Sequence, residues 1–211
     1  MLRVNEIFYS IQGESSYAGR PCVFVRLTGC NLRCSYCDTR YAYDEGQSLT
    51  IEGIIDRITS YQCRLVEITG GEPLIQKKTP DLIYELLENN FVVLLETNGS
   101  MDISPVDTRC VKIIDIKCPS SGEVKNNYLD NLKKLSERDE IKFVIGSEED
   151  YLYAKKIMVL IDNKKKPPIL SPVYNIMDPK RLAEWVLADH IDVRIQIQLH
   201  KIIWGPETRG V

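Results

Sequence analysis

Three cysteines stand close together near the N-terminus of the chain and could bind a metal centre. Cys30, Cys34 and Cys37 are separated by three and then two residues. Thiolate sulfur is a soft ligand that suits zinc or an iron–sulfur cluster. Structural zinc usually takes four ligands, whereas three cysteines on a four-iron cluster leave one iron open for chemistry. The spacing therefore favours an iron–sulfur cluster, and zinc with a recruited fourth ligand such as Cys63 or His200 stays open as the alternative.

The remaining four of the seven cysteines are scattered along the chain. An odd number of cysteines and a reducing compartment both argue against a set of disulfides. We expect these side chains to be small buried apolar groups. They are Cys22, Cys63, Cys110 and Cys118.

Composition and charge narrow the class of protein. The chain has 211 residues, of which 44% are hydrophobic and 27% charged, and this predicts a single globular domain over residues 1–211. A net charge of −3 argues against a general nucleic-acid scaffold. No stretch approaches the roughly 20 apolar residues of a membrane-spanning helix, and we see no secretory signal. We therefore expect a cytoplasmic protein with no membrane partner and no direct nucleic-acid partner.

Short β-rich segments alternate with segments of helical periodicity, and the alternation predicts a parallel sheet with right-handed crossovers. About six βα units are present, fewer than in a closed eightfold barrel. We predict the α/β class, with a partial (open) TIM-like barrel and a mostly parallel sheet. The predicted strands are 22–27, 65–68, 91–95, 111–114, 141–145, 168–170 and 193–197. The predicted helices are 51–58, a helix that begins at 79–80, 129–135, 154–161 and a helix that begins at 178–179; residues 163–168 predict a solvated loop.

Polar and ionisable residues follow the predicted strands. Ligands of such barrels bind at the carboxyl ends of the strands. The pattern therefore predicts a site there rather than a continuation of the core. The residues concerned are Thr28-Gly29-Cys30, Thr69-Gly70-Gly71-Glu72, Glu96-Thr97-Asn98, Asp115-Ile116-Lys117, Ser171 and Gln198-Leu199-His200.

The cysteine motif, with Tyr36 before the third cysteine, resembles the signature of the radical S-adenosylmethionine (SAM) superfamily. Thr69–Pro73 resembles the glycine-rich segment that contacts the methionine group of SAM in that superfamily. The resemblance implies a 4Fe–4S cluster on Cys30, Cys34 and Cys37 whose open iron chelates SAM. An electron from the cluster then cleaves SAM to a radical that abstracts hydrogen from the substrate. The SAM-binding residues that it implies are Tyr36, Cys37, Asp38, Gly71, Asp115, Lys117 and Ser171.

The N-terminal residues 6–16, with 18–21 and 24–27, are similar to the 7-carboxy-7-deazaguanine synthase family, and the similarity continues through 196–204. That family converts 6-carboxy-5,6,7,8-tetrahydropterin to 7-carboxy-7-deazaguanine with loss of ammonia, for queuosine-type nucleosides. The resemblance implies that residues 1–21 are a substrate-binding extension. Gln and Glu side chains can read the donor-rich edge of a pterin, and Arg can pair with its carboxylate. The implied substrate-binding residues are Ile11, Gln12, Gly13, Glu14, Arg26, Thr69 and His200.

The same resemblance implies further ligands and partners. Thr39 would bind a magnesium ion that also bridges to the substrate carboxylate. An external flavodoxin-type or ferredoxin-type protein would supply electrons, and the chain would form a homodimer because a partial barrel leaves sheet edges uncovered. Some family members end in proline near the substrate, whereas this chain ends in Val211, so the role of the tail stays open.

Several alternatives stay open at this point. A radical SAM activase of a glycyl-radical enzyme shares the cysteine motif and the short barrel, and a small zinc-binding module shares the cysteines alone. From the sequence, Thr39 can also be a turn residue and His200 a buried structural histidine. Gln12 and Glu14 can also be merely exposed.

Overall fold

The computed structural model describes residues 1–161 and 166–211, and nine strands in these residues form one open sheet. The strands are β1 (Leu2–Ile11), β2 (Pro21–Leu27), β3 (Gln47–Leu49), β4 (Leu65–Gly70), β5 (Val92–Thr97), β6 (Val111–Ile116), β7 (Glu140–Ile145), β8 (Ile169–Pro172) and β9 (Arg194–Ile195). Their order across the sheet is β3-β1-β2-β4-β5-β6-β7-β8-β9. Every pair from β2 to β9 is parallel, whereas β1 runs antiparallel to both β2 and β3. The α/β class and the open, mostly parallel barrel are confirmed.

Five α-helices accompany the described strands: α1 (Ile51–Ser60), α2 (Thr79–Glu88), α3 (Glu148–Met158), α4 (Pro179–Asp189) and α5 (Leu199–Trp204). Their starts follow local capping chemistry. The Thr50 side chain accepts a hydrogen bond from the Gly53 amide at 3.1 Å, and Asp178 accepts one from the Lys180 amide at 2.9 Å. Because these oxygens satisfy amides that lack a partner inside the helix, they fix where each helix begins.

Two local predictions were wrong. The segment predicted as a helix at 129–135 forms a 3₁₀ helix at Leu129–Lys134, where the buried Asn131 side chain donates to the Met101 carbonyl at 2.8 Å and accepts from the Ile103 amide at 3.2 Å. Those bonds hold the segment against a neighbouring loop. The last strand, predicted at 193–197, is only two residues long because it lies at the sheet edge and pairs with β8 alone. The predicted loop at 163–168 lies partly outside the described residues.

Apolar side chains fill the space between the sheet and its helices. Ile54, Ile58, Leu82 and Leu86 project from α1 and α2 and are fully buried against the first half of the sheet. On the other half, Phe143 packs with the buried faces of α3 and α4. All seven cysteines are free. None of the helices in the described residues is long and apolar enough to cross a membrane.

Candidate active site

The loop after β2 carries the three clustered cysteines. Cys30, Cys34 and Cys37 are free and half-buried. The Leu32 amide donates to the Cys30 sulfur at 3.4 Å, and the Ser35 amide donates to the carbonyl of Ser121 at 3.1 Å. The loop is therefore tied both to itself and to the segment that follows β6.

The glycine-rich segment after β4 presses directly on the cysteine loop. A Cβ placed on Gly71 would lie 2.4 Å from the Cβ of Cys30 and 2.4 Å from the carbonyl oxygen of Gly29, so only glycine fits. The fully buried Glu72 carboxylate accepts the amide of Asn98 at 2.7 Å, which ties the ends of β4 and β5 together. Gly71 can lie this close to Cys30 because it has no side chain.

The three thiols suit an iron–sulfur cluster better than a single zinc ion. No three His, Cys, Asp or Glu side chains of residues 1–161 and 166–211 are grouped so that they could hold one metal ion. In a four-iron cluster each cysteine binds a different iron, so the sulfurs need not meet at one point. Burial raises the pKa of Cys34 to about 11, so a bound metal must displace the thiol proton.

Beside the cysteines, two buried polar atoms lack partners. The Lys117 ammonium bonds one oxygen of Asp115 at 2.7 Å. The other Asp115 oxygen and the Tyr36 hydroxyl are buried and find no hydrogen-bond partner among the described residues. Burial raises the pKa of Tyr36, so its hydroxyl stays protonated and can donate. Orphaned polar groups of this kind require a ligand or water, and they fit the polar groups of SAM.

A compact set of acidic side chains surrounds one lysine at another part of the cleft. The ammonium of Lys142 donates to Glu14 at 2.7 Å and also bonds Glu96. The side-chain amide of Gln12 donates to Glu67, and its oxygen accepts the Glu14 amide at 3.0 Å. These residues come from β4, β5, β7 and the segment after β1, so the sheet itself assembles the set.

Burial and neighbouring charges set the protonation of this acidic set. Burial alone would raise the pKa of Glu14, but the charge and hydrogen bond of Lys142 lower it to about 2. Burial and the charges of Glu96 and Glu14 raise the pKa of Glu67 well above its ordinary range. Burial would lower the pKa of Lys142, but Glu14 and Glu96 raise it strongly. Burial also raises the pKa of Glu96, although the charge of Lys142 opposes the shift. The environment therefore favours an ionised Glu14, a charged Lys142 and the neutral form of Glu67.

Arg26 is held at one side and open at the other. Its Nε bonds Glu6 at 2.7 Å, and the Tyr41 hydroxyl donates to the same Glu6 oxygen at 3.0 Å. No other hydrogen bond of the described residues engages the Arg26 guanidinium, which leaves its terminal fork for a second carboxylate. The Arg209 guanidinium lies 3.7 Å from the centre of the Tyr41 ring, so the C-terminal tail lies against this group.

The N-terminal and C-terminal segments meet at His200. A Cβ on Gly13 would lie 2.1 Å from Nδ1 of His200, and the Leu199 amide donates to the Gly13 carbonyl at 3.1 Å. Burial lowers the pKa of His200, so the imidazole is neutral near pH 7. The Lys201 ammonium bonds Asp38 at 2.5 Å, which joins the C-terminal helix α5 to the loop that carries the cysteines.

One cleft of about 740 Å³ collects these groups. It is lined by every residue that the family resemblance implied as a substrate, SAM, cluster or magnesium ligand except Ser171, which is buried in β8. Thr39 lies at this cleft with its hydroxyl donating to Asp38 at 2.9 Å. The predicted residues that line it are Ile11, Gln12, Gly13, Glu14, Arg26, Cys30, Cys34, Tyr36, Cys37, Asp38, Thr39, Thr69, Gly71, Asp115, Lys117 and His200.

Glu96 was expected at the carboxyl end of its strand, but sequence reasoning missed two other charged residues of this set. They are Glu67 and Lys142, which lie within mostly apolar strands. A charged side chain in a strand that is covered on both faces is the signal that could have found them, because such a charge needs a buried partner.

Comparison with known proteins agrees with this geometry. Residues 24–115 match the model of the radical SAM superfamily. The chain is 48% identical to the 7-carboxy-7-deazaguanine synthase of Chlorobaculum tepidum, over 100% of this chain and 97% of that protein. It is 42% identical to the synthase of the same name from Koribacter versatilis, over 100% of both chains. The chain belongs to the 7-carboxy-7-deazaguanine synthase family.

A solved structure supports the same family. The crystal structure of QueE from Escherichia coli matches with a TM-score of 0.76 and 26% identity, over 94% of each chain. Streptococcus suis SuiB bound to precursor peptide SuiA matches at 12% identity with a TM-score of 0.59 and shares the fold alone. Membership of the 7-carboxy-7-deazaguanine synthase family makes the chain a radical SAM enzyme, for which a 4Fe–4S cluster and SAM are the implied cofactors. Neither a zinc module nor a glycyl-radical activase is favoured.

Proposed function

We propose that the chain converts 6-carboxy-5,6,7,8-tetrahydropterin to 7-carboxy-7-deazaguanine with loss of ammonia. One observation carries the proposal: a single cleft joins the cysteine loop to Gln12, Glu14 and Arg26. When bound on Cys30, Cys34 and Cys37, the cluster supplies the electron that cleaves SAM for hydrogen abstraction from the substrate. The protein contributes binding and orientation.

Different side chains of the cleft bind different parts of the substrate. Gln12 and Glu14 offer oxygens to the N–H donors of the pterin ring. Arg26 presents its terminal fork to the substrate carboxylate, and Glu6 keeps the guanidinium in place from the opposite side. His200 and Thr69 complete the substrate pocket. On the cofactor side, the unpartnered oxygen of Asp115 and the Tyr36 hydroxyl receive the polar groups of SAM, with Cys37, Asp38, Gly71 and Lys117 around them.

A magnesium ion at Thr39 belongs to the same proposal. Thr39 lines the cleft and its hydroxyl is engaged with Asp38, so a hard oxygen site lies beside the cluster loop. Magnesium often takes few protein ligands and several substrate or water oxygens, which suits a substrate carboxylate. Replacing Thr39 by Ala lowers the stimulation of turnover by added Mg²⁺, measured as initial rate against Mg²⁺ concentration. An unchanged response removes Thr39 from the site.

The proposed partners are an external electron-donor protein and a second copy of the chain. An open sheet leaves β3 and β9 at its edges, and Ile195 and Ile197 are exposed at the β9 edge. Covering such an edge in a homodimer removes unpaired backbone groups from solvent. Size-exclusion chromatography with light scattering should give twice the mass of the chain, and a monomer mass contradicts the dimer.

Anaerobic turnover tests the proposed reaction. The reconstituted protein is incubated with SAM, dithionite and 6-carboxy-5,6,7,8-tetrahydropterin, and mass spectrometry is used to detect 5′-deoxyadenosine and 7-carboxy-7-deazaguanine. The Cys34→Ala variant serves as the control without a complete cluster site. Cleavage of SAM without any deazapurine would leave the superfamily assignment intact and contradict the substrate.

A further inference from the structure

Lys142 occupies an unusual position for a lysine. It lies in the middle of β7, and its side chain is only 5% exposed. Its ammonium bonds Glu14, which follows β1, and Glu96 from β5. These three residues are far apart in sequence, and the lysine joins the two glutamates.

We propose that Lys142 is a positioning residue that holds Glu14 as a charged acceptor, with Glu96 beside it, for the N–H donors of the substrate ring. This inference rests on the proposed function, since it concerns how the same cleft selects its substrate. A 2-amino-4-oxo pyrimidine edge presents several N–H groups, and the carboxyl oxygens of Glu14 and Glu96 provide acceptors for them. Lys142 acts through the two glutamates.

The hydrogen bonds of Glu14 support this role. One carboxylate oxygen accepts from Lys142 at 2.7 Å, and the other accepts from the side-chain amide of Gln198 at 2.8 Å. A carboxylate pinned through both oxygens cannot rotate about its terminal bond. Each oxygen still has a second lone pair, so the plane in which Glu14 can receive a substrate donor is fixed before the substrate arrives.

The charges of the cleft give a second reason. Glu14, Glu67 and Glu96 all line the cleft, and Lys142 bonds two of them. Without the Lys142 ammonium, Glu14 loses the charge that keeps it ionised in a buried place beside two other carboxyl groups, and it takes up a proton more readily. A protonated carboxyl presents its own O–H donor to the ring N–H donors, at a position where an acceptor is needed. Lys142 therefore keeps this end of the cleft complementary to a donor-rich ring.

The chain contains a matched control for the loss of a buried lysine. Lys112 in β6 is 3% exposed and bonds the buried Asp139 at 3.3 Å. It stands near the start of its strand, away from the carboxyl ends that carry the cleft, and it does not line the cleft. Removing Lys112 breaks a buried ion pair without touching Glu14 or Glu96.

The test compares Lys142→Met, Glu14→Gln, the double variant Glu14→Gln/Lys142→Met and Lys112→Met with the wild type. All are reconstituted with the cluster, and the KM for 6-carboxy-5,6,7,8-tetrahydropterin, the Kd for SAM and the Tm are measured. We expect Lys142→Met to raise the KM about tenfold or more while the Kd for SAM changes less than about twofold. Lys112→Met should lower the Tm and leave the KM near that of the wild type.

The double variant separates positioning from independent effects. If Lys142 acts through Glu14, the fold increase in KM of the double variant is smaller, by about fivefold or more, than the product of the fold increases of the two single variants. Independent, multiplying effects overturn the inference, as does a Lys142→Met variant whose KM stays within about twofold of wild type. Should Lys142→Met fail to fold, Lys142→Gln keeps a polar group there and is judged by the same criteria. A wild-type protein that neither binds nor converts the pterin overturns the proposed function and this inference together.

Discussion

Gly71 offers a sharp perturbation of the cofactor site, because its environment leaves no room for one extra carbon. In the Gly71→Ala variant the new Cβ would meet Cys30 Cβ and the Gly29 carbonyl oxygen, both at 2.4 Å. Ordinary van der Waals contact begins at 3.4 Å, so the glycine-rich segment and the cysteine loop must separate by about 1 Å. Neither obstacle is the far end of a flexible side chain, so backbone has to move.

The expected loss has two parts. Overpacking of this kind lowers the free energy of unfolding by about 1–3 kcal/mol. At about 2–4 °C per kcal/mol for a chain of this size, the Tm falls by roughly 2–12 °C. Moving Cys30 by about 1 Å also spoils the placement of a cluster ligand, and a misplacement of that size can lower turnover about 100-fold.

Iron content and melting temperature measure both parts. The Gly71→Ala variant and the wild type are reconstituted anaerobically, and bound iron, sulfide and Tm are determined. Gly53→Ala in α1 is the matched control, because its Cβ meets only the Thr50 hydroxyl, at 3.3 Å. We expect the control to keep the wild-type iron content. A Gly71→Ala variant with full iron, unchanged Tm and normal SAM affinity refutes the steric argument.

Three further predictions concern protonation, stability and substrate binding. Glu67 has a raised pKa in the folded state, so the stability of the wild type falls as the pH rises above the ordinary glutamate pKa of 4.5. The Tm of Glu67→Gln relative to wild type should therefore increase from about pH 5 to about pH 8. A Tm difference that stays constant with pH contradicts this. The fully buried Asp150 accepts hydrogen bonds from the amides of Ser120 and Gly146, each at 2.7 Å. Asp150→Ala should therefore lower the free energy of unfolding by about 2–4 kcal/mol, measured by urea titration. A loss below about 1 kcal/mol counts against the contribution of those bonds. Arg26→Gln should raise the KM for the carboxylated pterin at least about tenfold, and Glu6→Gln should raise it less. Equal KM values in the wild type and both variants would show that Arg26 and Glu6 take no part in substrate binding.

Much of the fold was predictable because local chemistry and local pattern agree. The β-rich segment at 65–68 and the glycines after it place both a strand and its ligand-facing end. Thr50 and Asp178 fix two helix starts through their own hydrogen bonds. The six-residue α5 was not predictable, since its first residue is held by the Gly13 carbonyl from the opposite end of the chain.

The cofactor-binding half of the cleft was easier to predict from the sequence than the substrate-binding half. Cys30, Cys34 and Cys37 sit in one loop, so their spacing alone indicates a metal centre. The contact of Lys142 with Glu96 depends on how β5, β6 and β7 are aligned in the sheet. Sequence patterns give the strands but not that alignment, so the ion pair was not predictable, although Glu96 itself was expected at a strand end.

In the proposed reaction one cleft holds the radical-generating cofactors and the pterin at once. An anaerobic crystal structure of the reconstituted protein with SAM and 6-carboxy-5,6,7,8-tetrahydropterin tests it most directly. We predict a cluster on Cys30, Cys34 and Cys37, the pterin ring against Gln12 and Glu14, and its carboxylate at Arg26. Density for the pterin outside this cleft, or a ring that leaves Gln12 and Glu14 without contact, contradicts it.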